Sequence, residues 1–167
     1  MKRIVITCLL LGFALFFSAC GGSGENPITA VRPGMTMEEV LALEPDLVES
    51  SKTSMLHCKR SFGGTEGWLF VNFVAVDSGQ IALNVGWDAE PQENGKKIYR
   101  ELLSELKSCY GRPTATSESK ASKWNSTVVL KAFWNTETNL ARVYYSQDSK
   151  TGESRIEYVM GSERIAK

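Results

Sequence analysis

Histidine is almost missing from this 167-residue chain, where His57 stands alone. One imidazole and no Cys-x-x-Cys spacing leave no ligand set for zinc, so no metal is expected. The Gly-x-Ser-x-Gly turn that exposes a hydrolase serine is absent. Gly63-Gly64-Thr65-Glu66-Gly67 lacks the lysine of a phosphate loop and reads as a turn between strands, so no cofactor is expected either. Charge of one sign is lacking too: 19 basic and 19 acidic side chains cancel, which argues against the broad basic face that nucleic acid requires. What is present is 43% hydrophobic and 10% aromatic residues, an ordinary globular composition that excludes a disordered chain. At this length one compact domain is expected.

The N-terminus differs from the rest. Lys2 and Arg3 precede an apolar run, Ile4 to Phe17, which has the length of a secretion-signal core and is too short to span a bilayer comfortably. Phe17-Ser18-Ala19-Cys20 resembles the lipobox of bacterial lipoproteins, in which the cysteine is acylated and becomes the new N-terminus. A plain signal peptide cut near Ala19, or an uncleaved anchor helix, are the alternatives. The resemblance implies a signal peptide over residues 1–19 and lipidation at Cys20. It also implies the outer membrane facing the periplasm, because Gly21 stands where an inner-membrane retention signal has Asp. Several acyl chains at about 0.8 kcal/mol per buried methylene make such an anchor effectively permanent. Residues 20–33 then read as the lipidated cysteine and a flexible tether. Loss of Lys2 and Arg3 with the signal takes the basic count from 19 to 17 against 19 acids, a net charge of −2 that indicates no strongly charged partner. In an oxidising envelope Cys58 and Cys109 are candidates for a disulfide closing a loop of about 52 residues, for which the chain-entropy model gives on the order of 4 kcal/mol. Two separate buried thiols are the alternative.

Met35-Thr36-Met37-Glu38-Glu39-Val40 predicts a helix start, with Thr36 and Glu39 as a capping box and Met35 and Val40 as a hydrophobic staple. Pro45 ends that helix early. A longer helix is predicted from Gln92 or Asn94 to Tyr110, carrying Ile98, Leu102, Leu106 and Cys109 at helical spacing and closing at Gly111. Strands are predicted over 55–61, 68–76 and 80–88, and again over 123–134, 140–147 and 154–160. The fold class is therefore α+β: two αβββ repeats, residues 34–90 and 91–167, forming one antiparallel sheet with helices packed on one face. The run Trp68 to Val76, interrupted only by Asn72, predicts a central strand covered on both faces.

Gly34-Met35-Thr36 with Glu39-Val40 resembles the opening of the first helix in the small lipoprotein subunit of the outer-membrane β-barrel assembly machinery. Tandem modules of this shape resemble the β-lactamase-inhibitory-protein architecture, which binds proteins through a concave sheet. Leu106 to Pro113 is similar to a Tyr-Gly-x-Pro helix ending found in periplasmic proteins. All three resemblances imply binding folds, and none supplies a catalytic residue.

His57 and Cys58 are adjacent on a strand and therefore point to opposite faces, which argues against a thiol–imidazole pair. Of the acidic pairs that a cell-wall hydrolase would use, Glu38-Glu39 belongs to a helix start, and Asp46 with Glu49 is the other cluster. Aromatic surface remains. Trp124, Trp134, Tyr144 and Tyr145 are the candidate partner-binding residues, against the alternative that they are core or cross-strand packing pairs. The expectation is a non-catalytic, lipid-anchored envelope module, held to the membrane by its N-terminal lipid and binding an envelope protein or a cell-wall component. A weak cell-wall hydrolase and a small-ligand-binding lipoprotein with a cleft between its halves are the competing classes.

Overall fold

The computed structural model describes residues 26–51, 53–89, 94–120, 127–136 and 139–161. The first helix, α1 (Met37–Leu43), begins as its sequence dictates. Glu39 donates its backbone N–H to Thr36 Oγ1 at 3.3 Å, and Glu39 Oε2 accepts the Thr36 N–H at 2.8 Å, closing the capping box. Val40 is fully buried, and Met35 packs against the same core. Four strands follow: β1 (Val48–Glu49), β2 (Met55–Lys59), β3 (Gly67–Val76) and β4 (Gly79–Ala89). The long helix α2 (Gly95–Tyr110) then leads to β5 (Ala115–Ser119), β6 (Thr127–Asn135), β7 (Leu140–Asp148) and β8 (Ser154–Gly161).

All eight strands form one antiparallel sheet in the order β1-β2-β3-β4-β8-β7-β6-β5. The fold is α+β, with more strand than expected: four strands follow each helix, where three were predicted. The two extra strands, β1 and β5, are the edges of the sheet. Each is exposed along its whole length, so neither carries the apolar alternation that marks a strand in sequence.

Register explains the core. Leu69, Trp87, Tyr158, Val143 and Ala132 lie opposite one another across five strands, and Val71, Val85, Met160, Ala141 and Trp134 form the next such row. Every one of these residues is buried, so both rows point to the same face. A bulge where the register shifts between Asn72 and Phe73 keeps Phe73 and Ala82 on that face as well. The buried stripe of α2, Ile98, Leu102, Leu106 and Cys109, joins this side, and the helix packs on β7 and β8. Gly95 sits so close to Ser154 that a Cβ there would collide with its hydroxyl, which sets how near the helix start approaches β8. The C-cap at Gly111 has φ 77°, a conformation that favours glycine.

Three expectations are corrected. The strand β3 is not covered on both faces: Trp68 is 37% exposed, and Phe70, Asn72 and Val74 are only half-buried. The apolar run has a local cause, because Phe70 lies across Gly86 on the neighbouring strand, in space that a side chain there would occupy. Residues 26–33 are not a free tether. Ile28, Thr29 and Val31 are buried, Thr29 Oγ1 donates to Glu44 Oε1 at 2.5 Å, and the Gly34 N–H bonds the Ala82 carbonyl at 2.7 Å. Finally, no disulfide joins Cys58 and Cys109, although both are buried. Cys58 lies on β2, three strands from β8, or roughly 14 Å at ordinary strand spacing, whereas α2 carries Cys109 over β7 and β8. A bridge needs Cα atoms within about 7 Å.

Candidate functional site

The other face of the sheet displays the residues that alternate with the core. One row across it runs Lys59, Trp68, Asp88, Glu157, Tyr144 and Lys131; the next runs His57, Phe70, Gly86, Val159, Arg142 and Phe133. Apart from Gly86, which Phe70 covers, none of these side chains is fully buried. The strands alone position them, since a two-residue period leaves every second side chain on this side.

Charge is laid out in pairs. Arg155 Nη2 lies 3.3 Å from Asp88 Oδ2 and 3.3 Å from Glu157 Oε2, and Arg142 Nη2 lies 3.4 Å from Glu157 Oε1. Two guanidinium groups thus hold one carboxylate at the middle of the sheet. Burial raises the Asp88 carboxyl above the ordinary carboxylate range, outweighing the pull of Arg155 in the other direction. The Arg155 guanidinium is in turn raised, first by the charge of Asp88. At the flanks the Lys59 ammonium stands 5.4 Å from the Trp68 ring centre and the Lys131 ammonium 5.4 Å from that of Tyr144. His57 meets Trp68 edge-on at 5.4 Å. A tryptophan, a tyrosine and two phenylalanines with two arginines between them match the composition of protein interfaces.

The sequence-predicted partner residues separate here. Tyr144 is on the open face. Trp134 and Tyr145 are core residues, each 1% exposed, which corrects their assignment. The Trp134 indole N–H donates to the Gly111 carbonyl at 3.0 Å and closes the end of α2, and the Tyr145 hydroxyl donates to Gln147 Oε1 at 2.9 Å. Trp124 lies outside the described residues, as do Cys20 and the signal segment. Trp68, Phe70 and Phe133 are not among the four candidate residues above. Their signal was available as alternation with Leu69, Val71, Ala132 and Trp134, but alternation alone does not reveal which face is covered. No family model, curated protein or solved structure matches this chain.

His57 and Cys58 point to opposite sides of the sheet, as adjacent strand residues do: the His57 ring faces Trp68, while Cys58 points into the core beside Arg60. Burial opposes the charge of Arg60, and its bonds to Glu44 and Cys58 outweigh burial and raise it. Glu39 is spent on the helix cap, and its carboxyl is lowered by the Thr36 N–H and hydroxyl. Asp46 and Glu49 are exposed. Three other carboxylates, Asp88, Asp148 and Glu153, do line a shallow groove of about 430 Å³ with Arg155 at one end of the sheet. Among the described residues no cluster of ligating side chains is suited to a metal, and no helix is long and apolar enough to cross a membrane.

Proposed function

We propose that this chain is a non-catalytic, lipid-anchored module of the cell envelope that docks an envelope partner on the open face of its sheet. In this proposal both helices lie on the covered face, and the two halves are repeats of one helix and one strand meander. The observation that carries the proposal is the row of half-exposed aromatics and paired arginines on a face that the core leaves free. Residues of these types carry most of the binding energy where proteins meet. Anchoring at Cys20 is the sequence component of the proposal. Asn26, the first described residue, is already buried, so a leash from Cys20 spans at most six residues, roughly 20 Å at the extended rise. A body held that close to a bilayer meets partners in or just above the membrane.

The test is crosslinking in intact membranes followed by mass spectrometry. Trp68→Ala with Tyr144→Ala should reduce partner crosslinks at least tenfold while circular dichroism stays unchanged. Cys20→Ser should move the chain out of the membrane fraction. Crosslinks that persist in the folded double variant would remove the docking face from the proposal, and a Cys20→Ser protein still fully membrane-bound would remove the anchor.

The groove of Asp88, Asp148 and Glu153 supports a second reading as a weak cell-wall hydrolase, since a raised carboxyl in a groove is the form a general acid takes. It ranks lower because Asp88 is bridged to Arg155, and Asp148 Oδ1 already accepts the Lys150 and Thr151 N–H groups. Release of soluble fragments from purified cell wall, abolished by Asp88→Asn, would promote it.

A further inference from the structure

The sheet ends in two unlike edges. Among the described residues β1 spans two positions, too short to template another strand, whereas β5 spans five and has no strand on its outer side. All five of its side chains are exposed, and none of them is the proline or lysine that commonly guards an edge. Which of its backbone groups face outward follows from the bonds around β6. Asn135 donates its N–H to Thr114 Oγ1 at 3.0 Å, and Thr136 donates its own to the Asn139 carbonyl at 2.9 Å. The odd residues of β6 therefore bond toward β5 and the even ones toward β7. Phe133, Lys131 and Val129 lie opposite Ala115, Ser117 and Ser119, so those three spend their N–H and C=O groups on β6. Thr116 and Glu118, between them, turn theirs outward into solvent.

An open strand edge is completed by another strand. The sequence of this one is self-complementary in an antiparallel pair centred on Ser117. In that register Thr116 of each copy forms a hydrogen-bonded pair with Glu118 of the other, so the outward N–H and C=O groups of both residues find partners. Ser117 meets its own counterpart across the two-fold axis as a non-hydrogen-bonded pair, and Ala115 meets Ser119, all of them small side chains. Centring the pair on Glu118 instead sets two carboxylates directly opposite each other. Centring it on Thr116 carries Glu118 past the end of the other strand, opposite Thr114. Charge and strand length thus select one register. Its two-fold axis runs perpendicular to the sheet, so both copies present their open faces on the same side. One short strand from each copy is far less than the area of a permanent dimer, which makes the association weak and reversible.

We propose that β5 pairs with β5 of a second copy of this chain, antiparallel and centred on Ser117, joining two sheets into one. The pairing depends neither on the docking face nor on the lipid anchor. The experiment is oxidative trapping of the full chain in detergent micelles. Across the axis the two Ser117 Cα atoms lie about 4.5 Å apart, within disulfide range. Ser117→Cys should therefore give a covalent dimer at least tenfold faster than Val48→Cys, an exposed position on the opposite edge. Adding Thr116→Glu, which faces Glu118 of the other copy with a like charge, should slow the trapping at least tenfold, and Thr116→Lys should quicken it. Glu118→Pro removes only an outward N–H and should abolish trapping while circular dichroism stays unchanged. Hydrogen exchange reads the same contact without a cysteine: raising the protein concentration should slow exchange at the Thr116 and Glu118 amides and leave Ala115 and Ser117 as they were. Trapping no faster than at Val48, equal rates for Thr116→Glu and Thr116→Lys, undiminished trapping in a folded Glu118→Pro chain, or exchange at Thr116 and Glu118 that ignores concentration would each overturn the proposal. So would a Ser117→Cys chain in intact membranes that crosslinks to a different polypeptide in place of itself.

Discussion

Gly86 and Phe70 show how a single position decides what the open face looks like. The Phe70 ring occupies the space above Gly86, so a Cβ at 86 meets the ring and the backbone of Tyr158. Gly86→Ala should therefore destabilise the fold by about 1–3 kcal/mol, as overpacking does. Phe70→Leu should relieve part of that cost, so that the double variant is more stable than the sum of the singles predicts; strict additivity in denaturant titrations would refute the contact. Asp88 makes a separate statement about pH. Its carboxyl is raised in the folded state, so the folded chain holds that proton more firmly than the unfolded chain does. Its contribution to stability is present below the ordinary carboxyl value, about pH 4, and is lost as pH rises through the raised value. Asp88→Asn should flatten the pH–stability profile just above pH 4, and an unchanged slope would show that the shift is not real. Glu39 has the opposite sign. Lowered by its cap bonds, it contributes stability above the ordinary glutamate value that is lost as pH falls through the lowered one.

At the level of elements, what the sequence disclosed follows from whether burial and local chemistry agreed. The capping box of α1 was legible because Thr36 and Glu39 are a complete device within four residues. Thr36→Ala should cost about 1 kcal/mol of stability, read from the urea midpoint. The buried stripe of α2 and the six inner strands were legible because their periods of 3.6 and 2 match the faces they bury. The strands β1 and β5 were not legible, because an exposed edge is held by backbone bonds to one neighbour and no apolar pattern reports them. Trp134 and Tyr145 were misassigned for a different reason: Tyr144 and Tyr145 count as one candidate set although alternation puts them on opposite faces, and which face is the core depends on where α2 comes to rest. The Cys58–Cys109 pairing failed at this scale too, since sequence gives a loop length and not the number of strands between its ends. Edge strands should exchange backbone hydrogen fastest: amides of β5 are expected to exchange orders of magnitude faster than those of β4 and β8, which have partners on both sides.

Across the whole molecule the decisive join is between β4 and β8, where Asn84 to Asp88 pair with Glu157 to Gly161. Each half ends its meander there, so each half alone would present an unpaired central strand and half of a shared core. Trp87 and Tyr158 face each other across that join with no exposure, and the Tyr158 hydroxyl lies 2.8 Å from that of Tyr110 at the end of α2. The buried cluster is continuous from Val31 and Val40 through both rows of the sheet to Leu106. A contiguous core cut by no polar layer should melt as a unit. Thermal unfolding followed by far-ultraviolet circular dichroism and by tryptophan fluorescence should therefore give one coincident transition, although Trp68 and Trp87 report on one half and Trp134 on the other. Tyr158→Ala, which removes a large side chain from the join, should destabilise by about 3–5 kcal/mol and move both signals together. Two separated transitions, or a Tyr158→Ala variant that weakens one half alone, would mean that the halves are independent units resting against each other rather than one sheet.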